Sequence, residues 1–221
     1  MSLLPLATSH ASSAGSTLAP AHTVVHRDPF AYCSHPSALR LADGTWLIAF
    51  LETMRRPEVH HSPADPRFLT LLTRSRDRGR TWSRPAVVPG FDWYGVECPS
   101  LTQLADGDLL LLQWRWRWSP WSTAAGERSP DLYERADTPW RRGNDGTYVH
   151  RSPDGGLSWE VGERVDTGPY PGAYTMRSAV ALADGTLLFA VSSGVERAHS
   201  VLRGAVGLGP SGPPPSQRVS D

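Results

Sequence analysis

Short apolar runs, each interrupted by the same polar tetrapeptide, set the rhythm of the chain. Ala38-Leu39 and the run Trp46 to Phe50 flank Leu41-Ala42-Asp43-Gly44. Leu101 and the run Leu109 to Leu112 flank Leu104-Ala105-Asp106-Gly107, and Ala179 to Ala181 and Leu187 to Val191 flank Leu182-Ala183-Asp184-Gly185. Runs of this length are strand-sized, and Asp-Gly between two of them predicts a tight β-hairpin. Matching triplets lie upstream of the three hairpins: His35-Pro36-Ser37, Cys98-Pro99-Ser100 and Met176-Arg177-Ser178.

A second repeat follows the first. Ser75-Arg76-Asp77-Arg78-Gly79-Arg80-Thr81-Trp82 and Ser152-Pro153-Asp154-Gly155-Gly156-Leu157-Ser158-Trp159 share the pattern S-x-D-x-G-x-[TS]-W. Each residue type suits a turn. Asp77 and Asp154 accept hydrogen bonds from backbone N–H groups just ahead. Gly79 and Gly156 take positive φ cheaply. The hydroxyls of Ser75, Thr81, Ser152 and Ser158 satisfy other loose backbone groups, and Trp82 and Trp159 supply an apolar plate where the next strand begins. The unit is therefore strand, Asp-Gly hairpin, strand, longer loop, strand, eight-residue turn, strand. Four antiparallel strands in a repeated unit predict an all-β fold of propeller blades.

Unit one runs from about Tyr32 to Val88 and unit two from about Phe91 to Val165. Unit three opens at Tyr174 and stops near Val201, before its eight-residue turn arrives. The chain thus divides into a flexible segment over 1–24, a partial propeller over 25–203 holding about two and a half blades, and a disordered Gly/Pro/Ser-rich tail over 204–221. Propellers close with roughly four to eight blades. The pattern predicts a truncated product, with open sheet edges available for self-association.

Composition narrows the function classes. The 22 basic residues, all arginine, balance 22 acidic ones, so no broad nucleic-acid or anionic-membrane footprint is expected. The absence of lysine reads as the codon bias of a GC-rich, bacterial-type genome. Cys33 and Cys98 are the two cysteines; both precede a hairpin unit and read as reduced, buried thiols, with proximity on adjacent blades as the alternative. No C-x-x-C or zinc spacing is present, and no metal site or cofactor is expected. The start lacks a basic leader followed by a long apolar run, and no stretch reaches transmembrane length, so the compartment defaults to cytoplasmic.

The eight-residue turn resembles the Asp-box, or BNR repeat, of the sialidase (neuraminidase) superfamily, over about Tyr32 to Ser193. The resemblance implies a six-bladed propeller with the Asp-boxes on the rim opposite the active site. It also implies a glycan or sialoside substrate and hydrolysis with retention at the anomeric carbon, by an acid and a tyrosine nucleophile, without metal. The family's Arg-Ile-Pro motif falls at Ser34-His35-Pro36, where the proline matches and the arginine does not. Arg56-Pro57, then Asp65, then the first Asp-box at Ser75 keep the family's order, which implies Arg56 as a substrate contact and Asp65 as the general acid/base. Asp65 also precedes Pro66, and Asp-Pro favours turns, so a turn-capping role stands beside the catalytic one. The tyrosine, its glutamate and two further arginines belong to later blades. A non-catalytic Asp-box propeller that binds glycans or a protein is the alternative function.

Other residues have two readings each. Trp114-Arg115-Trp116-Arg117-Trp118 alternates, placing indoles on one strand face and guanidinium groups on the other. Trp116 is then a sugar-stacking residue or inter-blade packing. Arg177 takes the place of Pro36 and Pro99 where an inner strand begins, as a substrate contact or a structural ion pair. Glu97 is a central acid or such an arginine's partner, and His35 is a further inner-face candidate. Glu127, Asp131, Glu134 and Asp137 lie in an insertion over 119–146 that either walls a pocket or forms a solvated loop. His60 and His61 are adjacent and would point apart on a strand.

Overall fold

A computed structural model describes residues 22–55, 67–88, 95–120, 132–133, 140–170, 172–176, 178–193, 198–205 and 217–218. These are all-β: no helix occurs among the described residues, and none is long and apolar enough to cross a membrane. The strands form three antiparallel sheets. The first runs in the order β1 (Ala31–Arg40), β2 (Trp46–Met54), β3 (Leu69–Ser75) and β4 (Ala86–Val87). The second places β5 (Val96–Gln103) beside β6 (Leu109–Pro120) and β8 (Trp140–Ser152), whose outer edge is shared by β7 (Leu132–Tyr133) and β9 (Glu163–Arg164). The third runs β10 (Val180–Ala181), β11 (Thr186–Ser193), β12 (Ala198–Ala205), β13 (Gln217–Arg218).

Two features differ from the sequence-based expectation. Strand β12 continues to Ala205, and Gln217–Arg218 pairs with it through Leu202↔Arg218 and Arg203↔Gln217, inside the stretch expected to hold no strand. A two-residue edge strand carries no alternation to read, so composition alone hides it. Cys33 is exposed rather than buried, because it lies near the open end of β1; Cys98 is buried, and both are free thiols. Of the segment 1–24, only His22 to Val24 are among the described residues.

The unbroken run Leu109 to Leu112 is explained by packing on both faces of β6. Leu109 and Leu111 join Leu47, Ala49, Leu72, Val88 and Leu101 in a core between the first and second sheets. Leu110 and Leu112 join Ala179 and Leu187 between the second and third. A strand covered on both sides reads as continuous rather than alternating hydrophobicity. The first strands of consecutive sheets lie side by side: Leu101 N–H donates to Ser37 Oγ (3.3 Å), and the Thr102 hydroxyl donates to the Ala179 carbonyl (2.9 Å).

Both eight-residue turns close in the same way. In the first, the Ser75 hydroxyl donates to Asp77 (2.8 Å), and the Thr81 N–H (2.8 Å) and hydroxyl (2.6 Å) donate to the two carboxylate oxygens. In the second, Ser152 (2.8 Å) and the N–H of Ser158 (2.8 Å) bond Asp154 likewise. Hydrogen bonds from the Thr81 hydroxyl and N–H, then from Ser75, hold the Asp77 carboxyl down to about 2, and those from Ser158 hold Asp154 well below the carboxylate range. These carboxylates are turn structure and not acids or bases near neutral pH.

The second turn also locks two sheets together, since the Arg74 guanidinium donates to the carbonyls of Gly155 (3.3 Å) and Gly156 (3.0 Å). Gly156 has φ +85°, and a Cβ there would lie 3.0 Å from Leu72 Cδ2 and 3.4 Å from the Trp159 ring. Gly44 has φ +86° with nothing within 4 Å. Gly44→Ala is therefore expected to cost only the left-handed backbone, about 1–2 kcal/mol. Gly156→Ala adds overpacking of about 1–3 kcal/mol. Urea unfolding of the two variants side by side checks the difference; equal losses would refute the docking of this turn on the first sheet.

Candidate functional site

Register places the hairpins and the eight-residue turns at one end of the sheets. Arg40 and Ser75 both pair with Trp46, and Gln103 and Ser152 both pair with Leu109. The opposite end is where Ala31 pairs with Met54 and Val96 with Arg115. β2 ends at Met54 and β3 begins at Leu69, opposite Glu52, at that opposite end. His35, Glu97 and Trp116 also lie toward it.

Both inner strands are bent there. The β1–β2 register shifts between Ser34 and Ser37, and the β5–β6 register shifts between Glu97 and Ser100. Proline has no N–H for the ladder, so Pro36 and Pro99 are accommodated at these bulges. The residues before them take left-handed φ, 50° at His35 and 51° at Cys98. Such backbone costs about 1–3 kcal/mol per residue and is concentrated at functional sites. The bulges thus put strain beside two of the residues singled out from the sequence. His35 Nδ1 is 2.9 Å from Ser34 Oγ.

Glu97 is 3% exposed, and its Oε2 accepts the Trp116 indole N–H at 3.0 Å. Trp116 is itself buried, with its ring centroid 4.2 Å from that of Trp114. Trp114 stacks on Tyr174 at 4.0 Å and 13°, and Tyr174 is bridged to Ser192 of β11. Trp114 therefore packs between the second and third sheets with Trp116 against it, while Arg117 is exposed. Asp65, Arg56 and Arg177 lie outside the described residues, as do His60, His61, Glu127, Asp131, Glu134 and Asp137.

Two polar groups escaped the sequence. The β6–β8 register shifts between Arg115 and Trp116, leaving Asp145 as the extra residue of β8. Its carboxylate takes Arg115 Nε at 3.3 Å and the Tyr148 hydroxyl at 3.0 Å, and the guanidinium lies 4.9 Å from the Tyr148 ring centroid. Burial, then the Asp145 hydrogen bond, raises the Tyr148 phenol above its ordinary value. Asn144-Asp145-Gly146 reads as another hairpin turn in sequence, which conceals a bulge inside a long strand.

The second group is a buried chain across the first two sheets. The Thr70 hydroxyl donates to Gln113 Oε1 (2.7 Å), and Gln113 Nε2 donates to His150 Nε2 (2.7 Å). His150 Nδ1–H donates to the Glu160 carbonyl (3.3 Å), which assigns a neutral imidazole. Desolvation lowers the His150 pKa and Arg115 lowers it further, against the Glu160 carbonyl, which raises it. A folded-state value below the unfolded one means that the unfolded chain binds the extra proton. Stability is then complete above about pH 6.5 and falls as the pH drops from there through the depressed value. Urea unfolding is expected to show stability falling as the pH drops below about 6.5, and His150→Gln is expected to remove that part of the slope. An unchanged slope in the variant would assign the proton elsewhere.

Neither a family model nor a curated protein matches the sequence. Solved structures do match. A protein of unknown function from Dyadobacter fermentans superposes with TM-score 0.69 at 22% identity, over 82% of this chain and 53% of that one. The NanB sialidase from Streptococcus pneumoniae gives 0.59 at 13% identity over 90% and 46%. The Hadza microbial sialidase Hz136 gives 0.55 at 17% identity over 83% and 38%. What is shared is the fold. The chain spans about half the length of these structures or less.

Proposed function

We propose that this chain carries the acid/base half of a sialidase-like exo-glycosidase site on part of a six-bladed propeller. The observation that carries the reading is the separation of ends. The eight-residue turns occupy one end of the sheets; the strained bulges, buried Glu97 and the attachment of segment 56–66 occupy the other. In this reading Asp65 protonates the leaving oxygen, Arg56 and Arg177 contact an anionic sugar, and a tyrosine attacks the anomeric carbon. His35 lines the inner wall, and buried Glu97, held by the Trp116 indole, backs it. Residues 25–203 are the propeller portion.

Release of sialic acid from a fluorogenic α-sialoside by the natural gene product containing this chain tests the reading. Turnover above the buffer rate supports it. Glycan binding without turnover overturns it in favour of a non-catalytic glycan-binding propeller. One observation favours that second reading. At the turn end, Arg40, Arg76 and Arg78, with the single carboxylate Asp43 and the exposed indole of Trp46, line an open concavity of about 670 Å3. That arrangement suits an anionic sugar. Binding that Trp46→Ala abolishes would place the glycan there.

A further inference from the structure

Three side chains of metal-ligating type converge at the open end of the first sheet. Cys33 and Glu52 are register partners on β1 and β2, so their side chains leave the same face. Cys33 Sγ is 3.5 Å from Glu52 Oε2, and His26 Nε2 is 2.5 Å from the same oxygen. The ligand atoms of all three lie within 4.8 Å of one another. The His26 ring is held in place by Phe50, with centroids 5.1 Å apart. The segment leading to β1 is held by Arg55 N–H on the Phe30 carbonyl (2.8 Å) and by Phe30 N–H on Asp28 (2.8 Å).

We propose that His26, Cys33 and Glu52 form a site for a zinc-type divalent cation, with a fourth position open to water. Nitrogen, sulfur and carboxylate oxygen are the donor set such an ion takes, three protein ligands leaving one position free. Tetrahedral bonds of about 2.0–2.3 Å put neighbouring donors about 3.3–3.8 Å apart. The Cys33–Glu52 separation already falls in that range, and the remaining pairs reach it by side-chain shifts of about 1 Å.

Charge points the same way. On binding a divalent cation the thiol releases H+, the thiolate binds the metal, and two ligand negative charges balance the two positive ones. Calcium and magnesium prefer all-oxygen shells and are not expected to compete. The site lies at the end of the sheet that bears segment 56–66 and is independent of the proposed hydrolysis.

The test uses the full chain with zinc chloride and, separately, with cobalt(II). Native mass spectrometry is expected to show one zinc per chain, and calorimetry in buffers of different ionisation enthalpy to show proton release. Cobalt is expected to give a thiolate charge-transfer band. Cys33→Ser should abolish the band, and Cys33→Ser and Glu52→Gln should each weaken zinc at least about tenfold. Cys33 is exposed, so the serine variant tests ligation rather than folding, and circular dichroism checks this. No zinc binding, or cobalt binding without the band in the wild-type chain, overturns the proposal. So does undiminished affinity in Cys33→Ser, which would move the metal to other histidines.

Discussion

Asp65→Asn is expected to lower kcat for sialoside hydrolysis by about 100- to 10,000-fold while leaving KM nearly unchanged. That is the contribution of a positioned general acid, equivalent to about 2.7–5.5 kcal/mol of barrier. The substitution is isosteric and keeps a hydrogen-bonding side chain before Pro66, so a turn-capping function would survive it. The loss is also expected to depend on the leaving group. A poor alkoxide needs protonation in the transition state, whereas an activated phenolate needs little. The deficit should therefore shrink on an aryl sialoside and grow on a natural disaccharide. Equal deficits on both would make Asp65 a positioning residue, and wild-type turnover would remove it from the mechanism.

Gly162→Ala is expected to be among the most destabilising single changes in the described structure. A Cβ at 162 would lie 2.4 Å from Cε1, 2.6 Å from Nε2 and 2.8 Å from Nδ1 of His150, over the plane of the ring. The imidazole has no room to yield, since it is 2% exposed and tied at one nitrogen to Gln113 and at the other to the Glu160 carbonyl. Displacing it combines overpacking, about 1–3 kcal/mol, with buried polar groups left without partners, about 1–3 kcal/mol. A loss of about 2–6 kcal/mol in urea unfolding is expected. Gln113, fully buried between His150 and Thr70, links this contact to the first sheet, so unfolding should remain a single transition. A loss below about 1 kcal/mol would show that the chain of hydrogen bonds is not rigid.

The fold was legible because its punctuation is local. Asp43-Gly44 and Asp106-Gly107 announce hairpins from two residues each, and the turns at Asp77 and Asp154 are closed almost entirely by side chains within four positions. The strand β13 was not legible, since Gln217–Arg218 makes its ladder with residues that give it no pattern of its own. The candidate site divides in the same way. Glu97 could be singled out by its position before Cys98-Pro99, but its partner Trp116 follows from a register shift that no spacing announces. The Asp145 bulge looks like a turn in sequence and is a kink in a strand. The His26, Cys33 and Glu52 cluster forms across the β1–β2 ladder with a residue ahead of it, a convergence that no linear motif encodes.

The measurement that bears most directly on the central claim is the stereochemistry of the first product. Proton NMR of an α-sialoside incubated with the natural gene product is expected to show the α-anomer of the free sugar first, followed by mutarotation. That order requires two displacements at the anomeric carbon, as a covalent intermediate on a nucleophile demands. The β-anomer appearing first would contradict the tyrosine-nucleophile scheme. An intact sialoside under conditions where the protein binds it would contradict the glycosidase reading itself.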